Sequence, residues 1–254
     1  MEETKKTKKE KKGKGLAAAL YGVAITLVLQ TTITTCRTAS VRNERFNGVD
    51  SSYFQKTIFN VPLILPVTDG NVNLNIDPAF SEYEKQELVK GIREIDDMID
   101  GFVYTISFND GTLKKGINIR AFKENEKNKS NGIACATVKA NQWKAEITYP
   151  ITIKFDTDMM EKENFSYDTV IKHELLHTLG LEDLSDSKYS DNLMYYAYST
   201  SKPKLNEEQI KALKVVYSPE KTGVFGPVNQ NPSVNYYAGD VTPENIIEDD
   251  ILTF

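Results

Sequence analysis

The chain has 254 residues, a formal net charge of −5 and a pI of about 5.3, a length that holds one moderate domain with appendages or two small ones. The acidic balance, with no basic stripe in any folded-looking segment, argues against nucleic acid as a partner. Cys36 and Cys135 are the only cysteines, so a disulfide framework and a cysteine-based zinc finger are both excluded.

Seven lysines crowd the first fourteen residues, and an apolar run from Leu16 to Leu29 follows, continued by threonines to Cys36. Positive charge followed by apolarity is the arrangement of an export signal. With the threonines the run reaches roughly the 20 residues that a bilayer span needs. Three fates stay open: cleavage, retention as a signal anchor with the lysines inside, or a cut before a lipidated Cys36. Ile33-Thr34-Thr35-Cys36 is only loosely similar to a bacterial lipobox, because threonine is unusual just before the cysteine. All three fates put the rest of the chain outside the cytoplasm, membrane-anchored or secreted, with the membrane as a partner through this segment alone. Residues 37–66 show no sustained period of either kind and are expected to be a spacer or a pro-segment.

From residue 67 the pattern becomes that of a domain, expected to run to 218. Val72, Leu74 and Ile76 alternate with asparagines in a half-buried strand closed by Asp77-Pro78. Ser81 and Glu84 form a capping box, after which Leu88, Ile92, Ile95 and Ile99 recur at helical spacing up to Asp100-Gly101. Strands are expected from about Val103 to Phe108, from Ile117 to Phe122, from Gly132 to Lys139 and from Ile147 to Phe155. The charged run from Lys123 to Asn131 is a loop. Cys135, within Ile133 to Val138, is expected to be a small buried hydrophobe. Ser166 is the expected N-cap of a further helix, with Asp168 in its first turn. Asn206 and Gln209 open a last helix whose buried stripe is Ile210, Leu213 and Tyr217, and Ser218-Pro219 ends it. The tail, 219–254, has no clear period.

Both histidines of the chain lie in one stretch, His173-Glu174-Leu175-Leu176-His177-Thr178-Leu179-Gly180-Leu181-Glu182-Asp183. Four residues apart on a helix, the two imidazoles project from one face and can grip one metal ion. Glu174, which is not needed as a ligand, stands beside them, where a carboxylate can take a proton from an activated water. Gly180 tolerates the left-handed backbone that reverses a chain after a helix, which brings Asp183 back as the natural third ligand. Zinc accepts this nitrogen and oxygen set, and a catalytic site keeps its fourth position open.

This stretch resembles the metzincin signature, with Asp183 where the usual third histidine stands, as in the snapalysin-like branch. Asp191-Asn192-Leu193-Met194-Tyr195-Tyr196 looks like the methionine turn of that family. The resemblance implies a zinc-dependent endopeptidase acting on protein or peptide substrates, with Met194 flooring the site and Tyr196 as a hydrogen-bond donor to the developing oxyanion; the chain is expected to be a monomer. It favours Asp183 over the adjacent Glu182. The implied fold class is α+β, a mixed twisted sheet with an active-site helix and a C-terminal helix, and the 132–139 strand at the sheet edge along the substrate cleft. Two rival readings use the same residues. One is a gluzincin-like peptidase with Glu207 or Glu208 as third ligand, against which Gly180 and the methionine turn speak. The other is a non-catalytic, membrane-tethered metal-binding surface protein, in which Glu174 would have no use as a base.

Overall fold

The computed structural model describes residues 46, 48–67, 70–99, 102–122, 133–197 and 202–217, with the backbone of 246–247. The lysine-rich start, the apolar run, Cys36, the 123–131 loop, the Asp100-Gly101 and Ser218-Pro219 stops and most of the tail lie outside the described residues.

Val72, Leu74 and Ile76 are buried on strand β1 (Asn71–Ile76) while Asn71 and Asn73 face out, the period-2 pattern of a strand with one face on the core. Helix α1 (Glu82–Met98) follows. The Ser81 hydroxyl accepts from the Glu84 N–H, and the Glu84 carboxylate accepts from the Ser81 N–H, so two otherwise orphaned donors at the helix start are satisfied. The chain continues through β2 (Val103–Ser107), a two-residue β3 (Thr112–Leu113), β4 (Ile117–Phe122), β5 (Ala134–Asn141) and β6 (Glu146–Asp156). After it come α2 (Thr157–Lys162), α3 (Tyr167–Thr178) and α4 (Glu207–Val216). A two-residue β7 (Ile246–Ile247) pairs antiparallel with β3. Helix α2, capped by the Asp156 side chain on the Met159 N–H, is too short to announce itself by periodicity.

Five strands make one sheet in the order β2-β1-β4-β6-β5, parallel except for β5, which runs antiparallel to β6 at the edge. One sheet face carries the apolar side chains and packs under α1 and α3. Gly91 of α1 lets the two helices close up: a Cβ there would stand 2.5 Å from the Asp168 carbonyl oxygen of α3. On the opposite face, buried Asn75 donates to the carbonyls of Asn109 and Gly111, and buried Asn118 accepts from the Leu113 N–H. These side chains fasten the 108–116 loop over the sheet.

Of the two readings of residues 37–66, spacer or pro-segment, the described part, 46 and 48–66, does not fit a hanging spacer. Phe54, Leu63, Ile64 and Leu65 are each 5% exposed or less. Residues 55–63 form a hairpin, in which Thr57 N–H donates to the Val61 carbonyl and Leu63 N–H to the Gln55 carbonyl. Ile64 extends the sheet beside Glu146. A hanging stalk would leave these apolar side chains in water, and their burial removes that cost. The stripe of α4 is also shifted: Ala212, Leu213 and Val216 are buried and Ile210 only partly, because Gln209 turns inward to bond the methionine turn.

Candidate metal centre

Helix α3 carries Val170, Ile171, Leu175 and Leu176 into the core and sets His173, Glu174 and His177 towards β5 and the chain that follows the helix. Its end is a Schellman turn. Gly180 takes φ +100°, the Leu181 N–H donates to the Leu176 carbonyl and the Gly180 N–H to the His177 carbonyl, which closes the helix and reverses the chain. Gly180 is required twice over, since a Cβ there would also lie 2.3 Å from the Leu63 carbonyl oxygen.

The turn delivers Asp183. Its Oδ1 lies 3.3 Å from His173 Nε2 and 3.4 Å from His177 Nε2, and the two Nε2 atoms are 3.1 Å apart. Each imidazole is anchored from behind. His173 Nδ1 is 2.7 Å from the Leu193 carbonyl and His177 Nδ1 is 2.9 Å from the Leu181 carbonyl. A carbonyl can only accept, so the hydrogen-bond network assigns a proton to each Nδ1 and leaves both Nε2 lone pairs facing Asp183. With Nδ1 protonated, only a metal ion or a second proton on Nε2 reconciles these lone pairs with the Asp183 carboxylate, so the three groups call for a cation between them.

Zinc fits that requirement in chemistry and size. Ligand bonds of about 2.0–2.1 Å in a tetrahedron give edges of about 3.3–3.4 Å, close to the three separations. Burial pushes the Asp183 carboxyl up, yet the hydrogen bonds and charge of the two histidines outweigh it and hold the group well below the usual carboxylate range. Burial likewise pulls His177 down, and its bond to Asp183 together with the charge of Glu174 brings the net shift upward. Among the described residues, His173, His177 and Asp183 are the one group of three potential ligands that converges. Glu207 and Glu208 are exposed on the first turn of α4, where Glu208 accepts from the Tyr53 hydroxyl. The gluzincin-like ligand set is therefore not assembled.

Glu174 is 3% exposed, and its Oε2 accepts from the Ala136 N–H of the edge strand at 2.7 Å. On β5 the residues Ala134, Ala136 and Val138 alternate towards α3 with Cys135, Thr137 and Lys139 outward. Cys135 is exposed, a correction to the buried hydrophobe expected from its apolar neighbours: the strand period places it on the opposite face from them. Burial of its sulfur and then the charge of Glu174 push the thiol upward.

The methionine turn closes the other side. Met194 is fully buried, the Leu184 N–H donates to its carbonyl and the Tyr196 N–H donates to the Leu184 carbonyl. Asn192 ties this turn to α4, its amide donating to Gln209 Oε1 at 2.8 Å while its Oδ1 accepts from the Met194 N–H. Tyr196 is 58% exposed, with its ring edge-on to Tyr195 at 4.8 Å. The structure thus brings together His173, Glu174, His177 and Asp183 and leaves Tyr196 at the surface. The carbonyls of Leu181 and Leu193 and the N–H of Ala136 were invisible in the sequence, because any residue type supplies a backbone group.

A buried His-Glu-x-x-His helix, a glycine turn returning an aspartate and a methionine turn beneath, set against a sheet whose edge strand is antiparallel, belong to a zinc metalloendopeptidase of metzincin type. The matrixin family, peptidase M10, matches residues 68–218, well over half of the chain, and the chain belongs to that family. Among solved structures, high choriolytic enzyme 1, a hatching-enzyme zinc protease from Oryzias latipes (medaka fish), aligns over 66% of this chain and 96% of its own, with 13% identity and a TM-score of 0.39. No curated protein matches the chain.

Proposed function

We propose that this zinc-dependent endopeptidase holds its metal through His173, His177 and Asp183 and uses Glu174 as the general base. The observation that carries the reading is the triangle of two Nε2 atoms and one carboxylate oxygen with sides of 3.1 to 3.4 Å. When bound there, zinc acidifies a water and polarises the scissile carbonyl. Glu174 accepts a proton from the attacking water and passes it to the leaving nitrogen. The Ala136 N–H holds one carboxylate oxygen of Glu174 still, so the other is aimed by the helix. Hydrogen bonds to Leu181 and Leu193 keep the two rings from rotating, and the ionised Asp183 supplies the negative charge that a dication favours.

Substrate is expected to lie extended along the free edge of β5, adding itself as a strand through main-chain hydrogen bonds. The base is tied to that same strand, so the register of the bound peptide and the position of Glu174 are set by one element. Tyr196 is proposed as a donor to the developing oxyanion. Tyr196→Phe should then lower kcat with zinc retained, and an unchanged kcat would return it to a packing role. The ligand assignment is tested by zinc content and casein cleavage in two variants. Asp183→Ala should lose both, whereas Glu182→Ala should keep both. The reverse pattern would move the third ligand by one residue.

The lysine block and apolar run further support an extracytoplasmic domain, with membrane attachment through residues 1–36 or release after cleavage, and the domain is proposed to act as a monomer. Among the described residues no helix is long and apolar enough to cross a membrane. Recovery of uncleaved chain from the soluble cytosol would contradict export, and palmitate labelling lost in Cys36→Ser would single out the lipoprotein.

A further inference from the structure

The turn that carries Asp183 is held by a part of the chain outside the family match, which begins at residue 68. Tyr53 to Gln55 run beside Gly180 to Glu182 as a short extra strand: the Gln55 N–H donates to the Gly180 carbonyl at 2.8 Å and the Glu182 N–H to the Tyr53 carbonyl at 2.8 Å, with Phe54 bridged to Leu181 between them. The Gln55 side chain adds a contact of another kind. Its Nε2 donates to the Leu181 carbonyl at 3.1 Å, the same oxygen that accepts from His177 Nδ1 at 2.9 Å.

A carbonyl oxygen has two lone pairs, and here one faces an imidazole and the other faces an amide. The first bond fixes the tautomer and rotation of His177. The second fixes the direction of the oxygen that does so. Remove the amide, and the Leu181 peptide plane is held from the N-terminal segment only through the Glu182 N–H bonded to Tyr53, so its oxygen loses one of the two contacts that aim it at the ring. The backbone pairing meanwhile fixes Glu182, one residue before Asp183. Ring and carboxylate are therefore set against the same short strand.

We propose that Gln55 is a positioning residue for the metal centre, acting through the Leu181 carbonyl on His177. The proposal rests on His177 and Asp183 being ligands. Groups behind a metal-bound histidine are typically worth about 10–100-fold in metal affinity. Gln55→Met keeps the length of the side chain and removes the donor, Gln55→Glu presents only acceptors to a carbonyl, and Gln55→Lys restores an N–H at comparable reach.

The test uses the full chain, with zinc affinity measured by chelator competition and the thermal midpoint of the zinc-free protein measured alongside. The expected result is affinity weaker by about tenfold in Gln55→Met, weaker still in Gln55→Glu and largely regained in Gln55→Lys, with the zinc-free midpoints equal to that of the parent. Parent-like affinity in both Met and Glu variants would overturn the proposal. So would a loss that follows the zinc-free midpoint and is not regained with lysine, since that is general destabilisation. His177→Ala measured in parallel separates the two levels: if it loses zinc while the Gln55 variants do not, the ligand reading stands and the positioning role falls, and if it keeps zinc both fall.

Discussion

Two regions meet at Gly180. One, His173 to Tyr196, carries its chemistry in a local spacing. The other, residues 48–67, carries no motif and no period, yet Phe54 and Leu65 are fully buried and Leu63 lies against Gly180 so closely that no side chain fits there. On the proposed reading, the first supplies the reactive groups and the second supplies part of what keeps them in place. A metal site needs both, but only the reactive groups demand particular residue types at particular intervals. A supporting strand works through backbone hydrogen bonds and buried apolar surface, which many sequences provide.

If residues 48–67 were a spacer, as their sequence suggests, truncating a side chain there would cost little. Phe54 has no exposed surface and meets Phe46 edge-on at 4.8 Å. Phe54→Ala should cost about 3–5 kcal/mol of unfolding free energy, the range of a core phenylalanine. Denaturant unfolding checks it. A loss below about 0.5 kcal/mol, as at an unstructured surface site, would separate the segment from the domain.

A smaller effect is expected where one hydroxyl joins the regions. Tyr217, at the end of α4, accepts from the Leu65 N–H at 3.0 Å and donates to the Leu179 carbonyl at 2.7 Å. All three groups are buried, so Tyr217→Phe leaves two of them unpaired. The expected loss is about 1–3 kcal/mol, with zinc still bound. An unchanged midpoint in denaturant would mean that the segment and the helix end do not depend on this bridge.

The smallest effect belongs to a site remote from both regions. Ser81→Ala removes the side-chain acceptor of the α1 capping box and should cost about 1 kcal/mol without altering zinc affinity. If it weakened zinc as much as the changes around Gly180, stability in general would govern the site, and the N-terminal strand would have no special claim on it.

Most of the fold was legible because its signals are local. The Ser81–Glu84 and Asn206–Gln209 boxes and the alternation of β1 and β6 each depend on neighbours in sequence. The candidate metal centre's convergence was legible for the same reason: His173, Glu174 and His177 share one helix face, and Gly180 announced the reversal that brings Asp183 to them. What could not be read depends on pairings between distant residues. Gln55 meets Leu181, Ala136 meets Glu174 and Leu193 meets His173 through backbone groups. Cys135 was misjudged on composition, where the two-residue period of the edge strand decides its direction.

The central claim is that Glu174 works as a base beside a metal held by three other side chains. Glu174→Gln keeps the size of the side chain and leaves His173, His177 and Asp183 unaltered. Zinc content and casein hydrolysis, measured on the same preparation, should show metal bound as in the parent and a rate lower by at least about a hundredfold, the lower bound for a positioned acid–base group. Bound zinc with near-parental hydrolysis would remove Glu174 from the mechanism, and loss of zinc would make it a ligand.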